Sequence, residues 1–340
     1  MNKQLLTELC CIDGPSGREN AVRSYILDKL NASSTPKEVQ VDAMGNVLVH
    51  LIGKNTASKK VLFDAHMDEV GFVVTHIFDN GMLRFSTVGG ILPQVLYGHR
   101  VRIGTQVGVI GGKAMHQCGG DESKKVPSAD AMAIDIGAQN REEAKKLVKV
   151  GDFGTFDAGL NWLQDDLFVG KAVDDRVGCY LLLQLAEQQP KRDLWLSFTV
   201  QEELGCRGAG VAATAIQPDI AIAVEATTAG DIAGSSEPEQ VCCMGKGAVV
   251  SFADRVTMYD GALYQRIRDL ADGAGIPNQT KNKIAGGNNA SAIQVSGTGV
   301  HMSAVSLPCR YIHSQACMGR VSDVEAMYNL LSLLAEELTQ

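Results

Sequence analysis

Short, largely apolar runs recur along the chain at Val61 to Ala65, Leu194 to Val200, Ile220 to Val224, Ala248 to Phe252 and Gly299 to Val305. Runs of that length without alternation predict strands buried on both faces, as in an α/β sheet. Between them apolar residues fall three or four apart, as in Val177, Leu181, Leu185 and in Val324, Met327, Leu331, Leu334, Leu338. Those spacings predict helices, and Ser322 with Glu325 reads as a capping box for the second. A third helix is predicted near the amino end, where Ser16 and Glu19 form a capping box ahead of Val22, Ile26 and Leu30. Strands alternating with helices predict a three-layer α/β sheet.

The stretch from Phe72 to Gly159 breaks this rhythm. It is rich in Gly and Val, carries short alternating pieces such as Val101-Arg102-Ile103, and has one clear helical pattern, Arg141 to Val148. We therefore expect a small β-rich domain, residues 72–159, inserted into an α/β body formed by residues 1–71 and 160–340. The polar segment Gly119 to Asp130 predicts an exposed loop.

Composition narrows the function. At 340 residues, 45% of them apolar, two folding units are expected, and no apolar run reaches the roughly 20 residues needed to cross a bilayer. The start lacks the apolar segment of a secretion signal. Nine cysteines occur without a C-x-x-C pair, which predicts reduced thiols and a cytoplasmic protein. A net charge of −8 argues against nucleic acid as a partner.

Metal-ligand side chains concentrate in five segments, four of them at the ends of predicted strands, where α/β sheets place their sites. In Asp64-Ala65-His66-Met67-Asp68, residues two apart point the same way, so His66 and Asp68 reach one site. His66 suits a zinc or cobalt ion, and Asp68 suits a hydrogen bond to the other ring nitrogen. Asp174 and Asp175 precede an apolar helix; they read either as an acidic first turn facing the helix dipole or, for Asp174, as a carboxylate bridging two cations. Glu202 and Glu203 follow an apolar run. Adjacent acids suit a hydrolase in which one binds metal and the other takes a proton from water. Glu225 and His313 each add a candidate ligand. Gly208 to Ala213 matches a loose dinucleotide pattern but follows a charged loop, and His76, His99, His116 and His301 read as packing or surface residues.

Taken in order, GPSG, DAHMDEVGF, the stretch Asp135 to Ala144, KAVDDRVGC, QEELGCRGA, EATTAGD and RYIHS resemble the tetrahedral aminopeptidases of metallopeptidase family 42. These motifs cover nearly the whole chain. The resemblance implies a zinc-peptidase catalytic domain with a PDZ-like or barrel insert, acting on peptide substrates with two divalent metal ions per subunit. It implies zinc or cobalt, with manganese as a further candidate. His66, Asp174 and Glu225 would hold one ion, and Asp174, Glu203 and His313 the other. It further implies Glu202 as general base, Asp68 orienting His66, a cis peptide after Asp174, and dimers built through the insert into a hollow tetrahedral dodecamer.

Two positions depart from the family pattern: residue 225 is Glu where many relatives have Asp, and Asn289 stands where Asp usually precedes the Ala. The same scaffold would also suit removal of an acyl group from a small amide, or a non-catalytic metal-stabilised assembly. Glu202 argues against the last, because a structural metal has little use for a second acid beside its ligand. A basic side chain in the pocket would favour acidic substrates, with Lys246, Arg255 and Lys283 as candidates.

Overall fold

The computed structural model describes residues 1–120, 124–164 and 166–340. An eight-stranded sheet forms the body, in the spatial order Lys37–Val41, Val47–Leu51, Leu194–Thr199, Val61–His66, Ile220–Thr228, His301–Cys309, Ala248–Val250, Asn278–Thr280. Leu194–Thr199, Val61–His66, Ile220–Thr228 and His301–Cys309 are mutually parallel neighbours, so their carboxyl ends open on one side. Because successive side chains on a strand face opposite ways, Ile220, Ile222 and Val224 join a core with Val177, Leu181, Leu331 and Leu334. Ala221 and Ala223 pack instead against Ala209, Ala212 and Ala213. Helices thus cover both faces, which makes three layers.

Strand ends differ from those expected. The Ile220 run continues to Thr228, paired residue for residue with His301–Cys309, so backbone pairing carries Glu225 into the strand although the apolar run stops before it. Neither predicted capping box forms. The first long helix spans Asn20–Ala32 and has no side-chain cap. Ser16 instead donates its hydroxyl to Asp68 Oδ2 (2.5 Å), and Glu19 Oε1 accepts from the amides of Gly17 and Gln201. The last helix, Val321–Glu337, starts before Ser322, whose amide donates to Asp166. Tertiary partners outcompete the local cap in both places.

Gly71–Ile77, Leu83–Val88, Ala133–Asp135, Gln106–Gly111, Arg100–Ile103 and Phe153–Phe156 close into a six-stranded barrel. Closure pairs every edge, and Phe72 packs edge-on against Phe85 and Phe156 inside it. Within the expected 119–130 loop, residues 121–123 lie outside the described residues. Asp13 fastens barrel to body: its carboxylate accepts from Arg102 Nε and Nη2 (both 2.9 Å) and from the Thr155 hydroxyl, and pairs with Lys171. Lys171 in turn binds Glu69 at 2.7 Å, both side chains being buried. A three-stranded sheet, Asn161–Leu163, Leu167–Gly170 and Cys317–Arg320, completes the fold. No described helix is long and apolar enough to cross a membrane.

Candidate active site

The site assembles where the parallel strands end. His66 is the last residue of its strand, and Thr199 pairs with it on one side. On the other side Ala223 pairs with Asp64, so Glu225 emerges level with His66. Asp174 precedes the regular part of the helix Val173–Ala186, and both it and Asp175 leave helical dihedrals, so the first-turn reading of this pair does not hold. The Asp174–Asp175 peptide is cis.

Asp174 stands between the two imidazoles. His66 Nε2 lies 3.3 Å from its Oδ1 and His313 Nε2 lies 3.2 Å from its Oδ2. His66 Nε2 is also 3.7 Å from Glu225, and His313 Nε2 is 3.2 Å from Glu203. Two donor sets result, His66–Asp174–Glu225 and Asp174–Glu203–His313, each with its ligand atoms within 4.8 Å of one another. Glu202 lines the same cavity. Glu225 Oε1 is buried with no hydrogen-bond partner among the described residues. An orphaned carboxylate oxygen inside such a set is what a divalent cation satisfies, so the donors fit a metal site of hard oxygens and imidazole.

Supporting contacts set the ligand orientations. His66 Nδ1 is 3.1 Å from the Asp68 carbonyl and 3.4 Å from its carboxylate, so the backbone oxygen is the nearer orienting partner. The Asp68 carboxylate mainly holds the glutamate turn, accepting from the amides of Glu202 (3.0 Å) and Glu203 (3.1 Å). His313 Nδ1 meets the Gly90 carbonyl at 2.9 Å, a contact from the barrel side that sequence patterns did not signal. Asp175, which the sequence offered only as a first-turn acid, is fully buried and accepts from the amides of His66 and Gly178. Left-handed dihedrals at Ala172, Gln201, Cys206, Tyr311 and His313 cluster around the site. Strain of that kind persists where the surrounding structure over-determines it.

Charge is concentrated here. Burial, reinforced by the neighbouring Glu203, Asp174 and Asp68, pushes the Glu202 carboxyl up to about 8, with His66 pulling the other way. Burial also raises Glu203 and raises Glu225 well above the usual carboxylate range. Burial opposes the His313 imidazolium, but hydrogen bonds to Asp174 and Glu203 prevail and hold it at about 11. A cation binding these donors would replace the protons that now balance them.

Asn289 does not face the cleft as a missing charge. It is fully buried behind His66, where its Nδ2 donates to Asp64 Oδ2 (2.8 Å) and Thr199 Oγ1 (2.9 Å). Ser197 donates to the other Asp64 oxygen. Burial pushes Asp64 up to about 6 against those hydrogen bonds. The carboxylate absent at 289 is therefore present opposite it.

The cavity holds about 500 Å³ and is bounded by the donor cluster and by Thr227, Thr228, Val241, Lys281 and Asn288. Lys246, Arg255 and Lys283 do not line it. The dinucleotide-like stretch lies within the helix Arg207–Ile216, where Gly208 abuts Asn46 and Val200. His301 pairs with Asp260, while His76 and His99 pack on Phe78 and Phe156.

Carboxylates and imidazoles converging at the carboxyl ends of a parallel sheet, beside a second glutamate and an open cavity, define an α/β hydrolytic enzyme. The sequence profile of the M42 glutamyl aminopeptidases matches residues 45–330. Lysyl aminopeptidase of Pyrococcus furiosus is 32% identical, the alignment covering 98% of this chain and 97% of that one. The solved aminopeptidase APDkam598 of Desulfurococcus kamchatkensis superposes with a TM-score of 0.93 at 32% identity, over 99% and 94% of the two chains. The TET1 peptidase of Pyrococcus horikoshii, which can assemble into a tetrahedron or a large octahedral shell, gives 0.86 at 32%, over 98% and 99%. The chain belongs to the M42 glutamyl aminopeptidase family and is an aminopeptidase.

Proposed function

We propose that this enzyme is a metal-dependent aminopeptidase with two divalent ions, zinc or cobalt before manganese, at the paired donor sets. The observation that carries the reading is Asp174, which offers one oxygen to each imidazole-bearing set while Glu202 stands free of both. His66 and Glu225 would complete one ligand set, and Glu203 and His313 the other. When bound, such ions supply Lewis acidity that acidifies water and polarises a carbonyl.

The protein's own residues do the rest. Glu202 takes the proton from the attacking water and returns it to the leaving amine as the C–N bond breaks. Asp68 fixes Glu202 by holding its amide, and fixes His66 through its own carbonyl. The Gly90 carbonyl orients the His313 ring from the barrel side.

The barrel-bearing insert, residues 72–159, would pair subunits into dimers and these into a tetrahedral dodecamer. The TET1 relative and the half-exposed Val107 (45%) and Val109 (44%) on the barrel strand Gln106–Gly111 support that assembly. Nine free cysteines fit a reducing cytoplasm. The test is hydrolysis of aminoacyl p-nitroanilides by chelator-stripped protein with zinc, cobalt or manganese restored. Metal-dependent release from free-amine substrates is expected. Silence on these with cleavage of acylated peptides would replace the reading with a deacylase.

A further inference from the structure

Glu69 is buried one residue past Asp68 and belongs to neither donor set. Two cations close on its carboxylate. Lys171 Nζ lies 2.7 Å from Oε1 and 3.0 Å from Oε2, and Arg176 Nη2 lies 3.6 Å from Oε1. The Gly14 amide donates to Oε1 as well (3.1 Å). Both cations are as buried as the acid, and Arg176 Nη2 has no hydrogen-bond partner among the described residues, which leaves Glu69 to balance it.

The two cations bracket Asp174, the residue common to both donor sets: Lys171 stands three positions before it and Arg176 two after. On the way from Lys171 to Asp174 the chain turns through Ala172 in the left-handed region (φ 56°), a conformation an alanine keeps only where its surroundings impose it. Asp175 restrains the downstream half of this segment, through the amides of His66 and Gly178. Upstream, Lys171 is the only polar side chain between Leu167 and Asp174. Arg176 is fixed further by carbonyls, Nε donating to Met67 (2.8 Å) and Nη1 to Ile12 (2.9 Å). The Glu69 backbone is itself clamped, its amide donating to the Gly14 carbonyl (3.0 Å) and its carbonyl accepting from the Ser16 amide (3.3 Å). One immobile carboxylate thus holds both ends of the segment that carries Asp174.

A buried ion pair seldom stabilises a fold more than apolar residues of the same volume would, because each charge loses its hydration. What it adds here is a fixed direction. Resting on the two-ion reading above, we propose that Glu69 is a positioning residue: by gripping Lys171 and Arg176 it fixes the backbone that aims Asp174, and so sets the affinity of the paired donor sets for their cations. Polar groups behind a ligand act in this way by limiting the orientations it can take. Lys171 also pairs with Asp13, which Arg102 and Thr155 of the barrel hold, so the seating of the barrel braces the same lysine.

The experiment titrates zinc into chelator-stripped protein against a chromogenic chelator. The proteins are the parent, Glu69→Gln, Glu69→Gln with Lys171→Met, Asp174→Asn, and Asp174→Asn with Glu69→Gln. Adding Lys171→Met restores the parent's net charge in the buried cluster while leaving Asp174 unbraced. Glu69→Gln and this charge-balanced companion should each bind zinc about 10- to 100-fold more weakly than the parent. Asp174→Asn retains four of the five donors, so its weaker binding is read at millimolar zinc. In that background Glu69→Gln should change zinc affinity by less than about twofold, because the ligand it aims is already gone. General loosening of the fold would subtract the same amount in both backgrounds. Parent affinity in the two Glu69 variants, or equal losses with and without Asp174, would overturn the proposal. So would failure of both Glu69 variants to fold without metal, read by circular dichroism, which would make Glu69 a residue of the fold alone. A parent that binds no zinc would instead overturn the two-ion reading.

Discussion

Replacing Asn289 by Asp puts a carboxylate where an amide now donates to Asp64 Oδ2 across 2.8 Å, at a position with no solvent exposure. Two carboxylates so close share one proton. The unfolded chain releases that proton near pH 3.9, whereas the buried pair keeps it through neutrality. The folded variant therefore binds more protons than the unfolded one, so its stability relative to the parent falls as pH rises. The parent's Asp64 itself keeps a proton up to about 6, so the relative deficit is near zero at pH 5, opens above about pH 6 with a slope of about 1.4 kcal/mol per pH unit, and reaches about 1.4 kcal/mol at pH 7. Urea denaturation of both proteins at pH 5, 6 and 7 measures it. The double variant Asp64→Asn with Asn289→Asp, which keeps one acid and one amide, should remove the pH dependence. A stability difference that stays constant across this range would refute the account of the Asp64–Asn289 pair.

Three further outcomes are expected. Glu202→Gln should lower kcat by about 10²- to 10⁴-fold while metal content and assembly, read by elemental analysis and native mass, stay unchanged; undiminished turnover would remove Glu202 from the proton-transfer role. Asp68→Asn puts a donor against the amides of Glu202 and Glu203, and should cost about 10- to 100-fold in kcat/KM or metal affinity; parent values in both would show that the glutamate turn holds itself. Burial works against the Asp13 carboxylate, but Arg102, Lys171 and Thr155 outweigh it and hold its carboxyl down at about 2. That contribution is present above about pH 4 and is lost as pH falls through about 2. Asp13→Asn should thus destabilise the protein at pH 7 by about 1 kcal/mol, since the group is partly exposed, and by nothing near pH 2. An equal deficit at both pH values in denaturation would contradict it.

Local patterns determined much of the frame. Short apolar runs announced the central strands, because a strand covered on both faces has no use for polar residues, and the Gly- and Val-rich stretch announced the barrel region. The segments bearing His66, Asp174, Glu202, Glu203, Glu225 and His313 stood out because acids and imidazoles at strand ends break those runs. The contacts that tune them were invisible, because they join residues far apart in the chain. Asn289 meets Asp64 across 225 positions, His313 meets Gly90 across 223, and Glu202 meets Asp68 across 134. Capping boxes at Ser16 and Ser322 matched the local rule and still failed, since Asp68 and Asp166 offered those groups other partners. Sequence alone offered Lys246, Arg255 and Lys283 and passed over Lys281, the one of the four that lines the cavity. Only the packing of the edge strand Asn278–Thr280 against its neighbours decided which ammonium is buried beside the site, because burial is a property of the assembled sheet and not of a segment.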